Sequence, residues 1–235
     1  MTAAALKNLI ADAEAASASI DALFAEAASS VRATVSKDGK LSAGLIEREQ
    51  HAAHGLAWFA TYAESIREMA HYAERVAGEG RFGETEELLT RIGLGEYLAQ
   101  VFGGIPMSQG EMVRPEDFGL SASQIAARRT DAVERLIASG NTRENRARLV
   151  DLIDHAAASA TVGDPGLDET MEAMRTEIRK FAESEVIPYA HEWHLKNEYI
   201  PLSVVKGLAD LGVFGLTIPE EFGGMGLGKI AMCVV

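Results

Sequence analysis

The residues of this chain best suited to chemistry are histidines, and five of the six fall into three groups. His51, His54, Trp58 and Tyr62 follow one another at steps of three, four and four, so a continuous helix would line them along one flank. Such a flank suits a ligand-pocket wall or a metal site. Zinc or iron takes three or four ligands, and two imidazoles without a companion motif fall short, so an amphipathic interface stripe is the plainer reading. Glu68-x-x-His71 has the spacing of di-iron helices, which need the motif twice; here it occurs once. His191-Glu192-Trp193-His194 departs from the metalloprotease helix, whose histidines stand four apart rather than three. Trp193 is therefore expected to pack against a flanking helix, with the two histidines partly exposed.

Gly223-x-x-x-x-Gly228-Lys229 matches a phosphate-binding loop as far as the lysine. The next residue, Ile230, has no hydroxyl for magnesium, and Pro219-Glu220-Glu221 stands where a buried strand should lead in. The glycines are read instead as backbone positions that need positive φ or close approach. Cys233 lies in the apolar run Ile230 to Val235 with no histidine nearby in sequence, which points to a buried, inert thiol. Carboxylates are abundant, but no pair stands out as acid and base. These patterns assign no catalytic and no metal-binding residue, and they leave cofactor-binding residues unknown.

The composition narrows the classes. Across 235 residues, 22 Lys+Arg against 35 Asp+Glu give a net charge of −13, which argues against a protein that tracks nucleic-acid phosphates. A single cysteine excludes an internal disulfide and fits a reducing cytoplasm. Asp12, Glu14 and Asp21 near the start fit neither a secretory signal nor a transit peptide, and no uncharged run approaches the ~20 apolar residues of a membrane span. A soluble cytoplasmic protein with no nucleic-acid or membrane partner is expected.

With only 6 prolines and apolar residues recurring at three- and four-residue steps, the fold class is all-α. Leu6, Leu9, Ile10, Ala13, Ile20, Leu23, Phe24 and Ala27 stripe a first helix that breaks at Ser36-Lys37-Asp38-Gly39. A longer helix from near Ser42 carries Leu45, Ala52, Leu56, Phe59, Ala63, Ile66, Ala70 and Ala73, and Gly78 and Gly80 stop it. A third, from Thr85 to Phe102, should be bent or interrupted at Gly93 and Gly95; an irregular stretch follows to Gly119. Ser121-x-x-Gln124 reads as a capping box and Asn141-x-x-Glu144 as a related one, opening helices Ser121 to Ser139 and Thr142 to Ala158. Ser159 to Gly166 is the best linker candidate, dividing a helical extension, 1–160, from a second domain, 161–235. Beyond it, helices start near Asp168 and Pro201, and Val213–Ile218 is the one short strand-like run.

The second domain resembles the N-terminal helical domain of flavin-dependent acyl-CoA dehydrogenases. The resemblance rests on an ordered set: Arg179-Lys180-Phe181-Ala182, Val186-Ile187-Pro188, Ile200-Pro201 and Leu208-x-x-Leu211-Gly212-Val213-Phe214-Gly215. It closes with Ile218-Pro219-Glu220-Glu221-Phe222-Gly223-Gly224-Met225-Gly226-Leu227. The long helical extension is similar to that of the methylsuccinyl-CoA-oxidising branch of the family, in the ethylmalonyl-CoA pathway. Glu96-Tyr97-Leu98-Ala99-Gln100 and Gly103-Gly104-Ile105-Pro106 are similar to helices of the family's C-terminal bundle.

The resemblance implies a parent enzyme with FAD, an acyl-CoA thioester substrate, an electron-transfer flavoprotein partner and homo-oligomeric assembly. In that family a carboxylate removes the α-proton while the β-hydrogen leaves as hydride, and the base and most flavin contacts belong to later domains. The chain reaches Val235 before those domains, within an apparent apolar helix from Gly228, so truncation is expected and no catalytic or flavin-binding residue is carried over. Ile218 to Leu227 corresponds to a bracing turn. The rival expectation is a non-catalytic all-helical interaction module.

Overall fold

The computed structural model describes residues 3–155 and 162–235. It is an all-α protein in which, among the described residues, strands occur only in two small hairpins. The chain divides into two compact units, one ending at Gly166 and the other running Leu167–Val235.

In the first unit, α1 (Ala3–Thr34) buries Leu9, Ala13, Ile20, Leu23 and Ala27, the stripe expected from their spacing. The break after it is a hairpin: β1 (Ser36–Lys37) pairs antiparallel with β2 (Lys40–Leu41). Asp38 (φ 52°) and Gly39 (φ 76°) form its left-handed two-residue turn, which the right-handed twist of paired strands favours. The single helix expected from Ser42 is two, α2 (Ala43–Arg48) and α3 (Gln50–Gly78), because Glu49 leaves helical geometry at ψ 29°. Phe59, Ala63, Ile66, Ala70 and Ala73 of α3 are buried.

Next, α4 (Glu84–Gly103) is continuous through both glycines, so the interruption that they were expected to allow does not occur. They serve close packing: a Cβ at Gly93 would meet Met69 Sδ at 2.5 Å, and one at Gly95 would lie 2.8–2.9 Å from backbone of Leu136, Gly140 and Asn141. The stretch expected to be irregular holds β3 (Ile105–Ser108) paired with β4 (Glu111–Val113), then a 3₁₀ turn, Pro115–Phe118. Alternation turns Ile105 and Met107 inward, and Val113 packs against Gly55 of α3.

The capping box at Ser121 forms as its spacing requires. Gln124 N–H donates to Ser121 Oγ at 3.3 Å, and Ser121 N–H donates to Gln124 Oε1 at 3.0 Å. The helix it opens is short, α5 (Ala122–Arg128), and Thr130 caps a separate α6 (Asp131–Ser139). For α7 (Arg143–His155) the cap is Thr142, whose hydroxyl accepts from Asn145 N–H at 3.1 Å. Asn141 turns instead to Glu96 and Arg146. The expected end of that helix at Ala158, and residues 159–161 of the linker candidate, lie outside the described residues.

The second unit starts with α8 (Glu169–Glu185), capped by Asp168 accepting from Met171 N–H at 2.8 Å. Pro188 sits in the first turn of α9 (Ile187–Lys196), where a missing N–H costs nothing. The third helix, α10 (Leu202–Asp210), ends at Gly212 in the left-handed region, φ 78°. Val213–Ile218 is not a strand: Val213–Gly215 is a 3₁₀ turn. Ile218 to Leu227 folds back on it, with Met225 N–H donating to Gly215 O (2.9 Å), Gly226 to Ile218 O (2.8 Å) and Leu227 to Leu216 O (2.8 Å). A short helix, α11 (Lys229–Val234), packs on α8 through Ala231.

Candidate functional site

The histidine flank of α3 is real as a stripe, but its members are engaged with one another and with neighbours. Trp58 Nε1–H donates to His54 Nε2 at 3.1 Å, and His51 Nε2 lies 3.7 Å from Asp117 Oδ2. Tyr62 donates to Gln100 Oε1, and its ring lies 4.8 Å from that of Tyr97. Burial, with Tyr97 and Glu96 beside it, raises the Tyr62 hydroxyl above the ordinary tyrosine value. Gln100 Nε2 donates to Glu96 Oε1 at 2.5 Å, and Asn141 Nδ2 donates to Glu96 Oε2, so the line of polar groups joins α3, α4 and the start of α7. A chain of paired groups at half-buried positions locks helices in register. Sequence reasoning missed Gln100 and Asn141, whose partners are 38 and 45 residues away and leave no local signal.

The other candidates are placed as follows. Glu68 Oε1 and His71 Nδ1 stand 4.0 Å apart on the surface. Trp193 stacks on Tyr189 of its own helix, with ring centroids 6.0 Å apart, and His191 and His194 are exposed. Gly223 is left-handed at φ 81° and closes the 3₁₀ turn Glu220–Phe222, while Gly228 precedes α11. The two glycines thus serve a turn and a helix start. Cys233 is exposed, not buried. It is two residues beyond Ala231, whose side faces α8, so helical rotation of about 200° carries the thiol to the opposite side.

An apolar recess lies within the second unit. It is a groove of about 550 Å³ between α8 and the folded-back turn, lined chiefly by Ala173, Met174, Ile178, Val213, Leu216 and Met225. Its ionic side chains are Glu169 and Glu177, both from α8. Nothing lining it is a histidine, cysteine, lysine or arginine. A flavin dinucleotide does not fit this lining, because it offers no cation for a diphosphate: its ionic side chains are carboxylates, of which Glu177 already pairs with Lys180 at 2.7 Å. The groove can bury apolar surface; it cannot move a proton between paired groups.

The same unit exposes further apolar side chains: Leu195, Tyr199, Ile200, Leu202, Phe214 and Phe222. That density of exposed apolar surface marks a contact region rather than a finished exterior.

Residues 168–235 match the family described as acyl-CoA dehydrogenase, N-terminal domain. Over 216 residues the chain is 51% identical to (2S)-methylsuccinyl-CoA dehydrogenase of Cereibacter sphaeroides, covering 92% of this chain and 39% of that protein. By sequence, residues 168–235 resemble the N-terminal domain of the acyl-CoA dehydrogenases, and the chain as a whole is similar to part of one such enzyme. Glutaryl-CoA dehydrogenase of Desulfococcus multivorans is 32% identical over 74 residues, 31% of this chain and 19% of that one. The short-chain specific acyl-CoA dehydrogenase of Rattus norvegicus mitochondria is 37% identical over 68 residues, 29% of this chain and 16% of that one. These two alignments are about as long as the family segment, whereas the 92% coverage shows that the methylsuccinyl-CoA relative shares the helical unit as well. The chain spans 39% of the length of that relative and under a fifth of the other two.

Proposed function

We propose that this chain is the N-terminal portion of an FAD-dependent acyl-CoA dehydrogenase acting on a short branched dicarboxylic acyl-CoA thioester. Its reaction is oxidation of the Cα–Cβ bond of methylsuccinyl-CoA to mesaconyl-CoA. The observation that carries the reading is the 51% identity through both units to a relative whose name states that substrate. The described residues supply packing surfaces: the groove under Met174 and Ile178 and the exposed apolar side chains of α9 and α10. In this reading the proton acceptor and the flavin contacts lie outside residues 1–235, and this portion alone is inactive. Electron-transfer flavoprotein as redox partner, homo-oligomeric assembly and a cytoplasmic location complete the proposal. Residues 1–160 act in it as a helical extension and 161–235 as part of the dehydrogenase domain.

Absorbance tests it. The purified 235-residue chain should show no stoichiometric flavin bands between about 350 and 500 nm and no turnover of methylsuccinyl-CoA, while the product of the complete gene should show both. Stoichiometric flavin and turnover in the 235-residue chain would remove the division of labour. A complete gene product of the same length as this chain would favour the non-catalytic helical module.

A further inference from the structure

Residues 162–166 read as linker, because they are small and turn-forming, yet their backbone is held to the helical unit by side chains from both sides of the α3–α4 turn. Tyr72 OH donates to Asp164 O at 2.6 Å, and the Arg75 guanidinium donates to Gly166 O. The Asp164 carboxylate accepts from Gly166 N–H at 2.7 Å and from Arg81. Glu86 completes the set. Its Oε1 accepts from Asp164 N–H at 2.7 Å, and its Oε2 accepts from Gly83 N–H at 2.8 Å. Glu86 is 7% exposed, which is uncommon for a carboxylate, and each of its oxygens is satisfied by a backbone N–H.

We propose that Val162–Gly166 is a clamp with Glu86 as its keystone, fixing the point at which the chain leaves the helical unit and coupling that exit to the start of α4. Irregular backbone ordinarily leaves its N–H and C=O groups to water; here protein groups take that role at Asp164 and Gly166. Glu86 stands in the first turn of α4, where a negative charge is favoured by the helix's unpaired N–H groups, and the same carboxylate holds the strap. Releasing the strap therefore unpairs one of its oxygens, and losing Glu86 unpairs the Asp164 and Gly83 N–H groups together. The two glycines belong to the design: Gly163 and Gly166 have φ of 76° and 66°, and a Cβ at Gly166 would lie 2.6 Å from Arg75 Nη1. The clamp stands on geometry inside the first unit and is independent of the enzymatic reading.

Residue-resolved hydrogen–deuterium exchange on the 235-residue chain tests it. The amides of Asp164 and Gly166 should exchange at least about 100-fold slower than in an unfolded peptide. Glu86→Ala should bring the Asp164 and Gly83 amides together to within about fivefold of the unfolded rate, leaving Phe59 and Leu98 unchanged. Arg81→Gln, which keeps the cap, should speed exchange about tenfold at Asp164 and Gly166 only. Exchange at the unfolded rate in the unsubstituted chain would overturn the clamp, as would unchanged Asp164 protection in Glu86→Ala. If Glu86→Ala fails to fold, Arg81→Gln decides: faster exchange confined to the strap supports the clamp, and no change overturns it.

Discussion

The two units differ in what they do with their apolar side chains. In the first, α1, α3, α4 and α6 meet over a continuous core in which Leu9, Ile20, Leu23, Phe59, Ile66, Leu94, Leu98 and Leu136 are at most 2% exposed. In Leu167–Val235 the buried apolar residues are Val204, Leu216 and Ala231, while Tyr199, Leu202 and Phe222 are 97%, 83% and 75% exposed. Burial stabilises at about 25 cal/mol per Å², so the first unit carries its own driving force and the second leaves much of its own unused. Both have well-formed helices with correct caps, so the contrast lies in packing and not in local propensity. A segment whose helices are specified locally but whose apolar faces lack cover is built to pack against something else.

That contrast can be broken most directly through the core. Phe59 has its ring 5.5 Å from Phe24, edge to face, and 5.7 Å from Phe118, stacked, with no exposed surface. Phe59→Ala should cost about 3–5 kcal/mol, because a cavity between the rings of Phe24 and Phe118 cannot collapse without moving α1. Val204→Ala in α10 should cost roughly 1 kcal/mol, since a Val204 already touching solvent leaves little cavity. Each unit has its own reporter, Trp58 on α3 and Trp193 on α9, so urea melts followed by fluorescence in Trp58→Phe and Trp193→Phe backgrounds separate them. Trp193 should report the earlier transition. One coincident transition, shifted alike by both substitutions, would show that the units share a single core and would end the comparison.

A smaller effect sharpens the account of how the first core is assembled. Gly95→Ala places a methyl group 2.8–2.9 Å from the backbone at Leu136, Gly140 and Asn141, so α4 must move away from the α6–α7 junction. A cost of about 1–3 kcal/mol is expected. Gly44 in α2 has no heavy atom within 4 Å of its added Cβ, and Gly44→Ala should be neutral or stabilise by up to ~1 kcal/mol. Equal effects at the two positions, measured by the same melts, would contradict the close-approach reading.

These glycines also show where sequence reasoning stopped. The buried stripes of α1 and α3, the Ser121 and Asp168 caps and the stops at Gly78 and Gly212 were legible, since each depends on residues within one or two turns. Gly93 and Gly95 were read by helix propensity alone, which is blind to the helix that packs against them. Thr142 and Asn141 are adjacent and both cap-competent; Glu96, 45 residues away, draws the asparagine aside. Asp38-Gly39 signalled a break, but strands of two residues are too short for a periodic pattern. Cys233 was judged by its apolar neighbours, whereas exposure on α11 follows from which side Ala231 takes. The groove was invisible for the same reason: its lining comes from α8 and from a turn some forty residues later.

A further small effect concerns Tyr72, and its size depends on pH. Burial, with Glu86 and Asp164 nearby, pushes its hydroxyl up to about 12, against the ordinary 10, because the phenolate would lose water and face two carboxylates. The folded chain therefore holds this proton in a range where the unfolded chain has released it. Its contribution is complete below about pH 10 and is lost as the pH rises toward 12. Tyr72→Phe keeps the ring but removes the bond to Asp164 O, which should cost about 1 kcal/mol at pH 8. The gap between the two proteins should narrow from pH 10 upward, while Tyr62, also raised, leaves some alkaline sensitivity in the variant. Absorbance near 295 nm should show one fewer late-ionising tyrosine in Tyr72→Phe, and urea midpoints at pH 8, 10 and 11 measure the narrowing. A gap that widens with pH would mean that the folded protein favours the phenolate, and the packing of Tyr72 against the Asp164 strap would have to be redrawn.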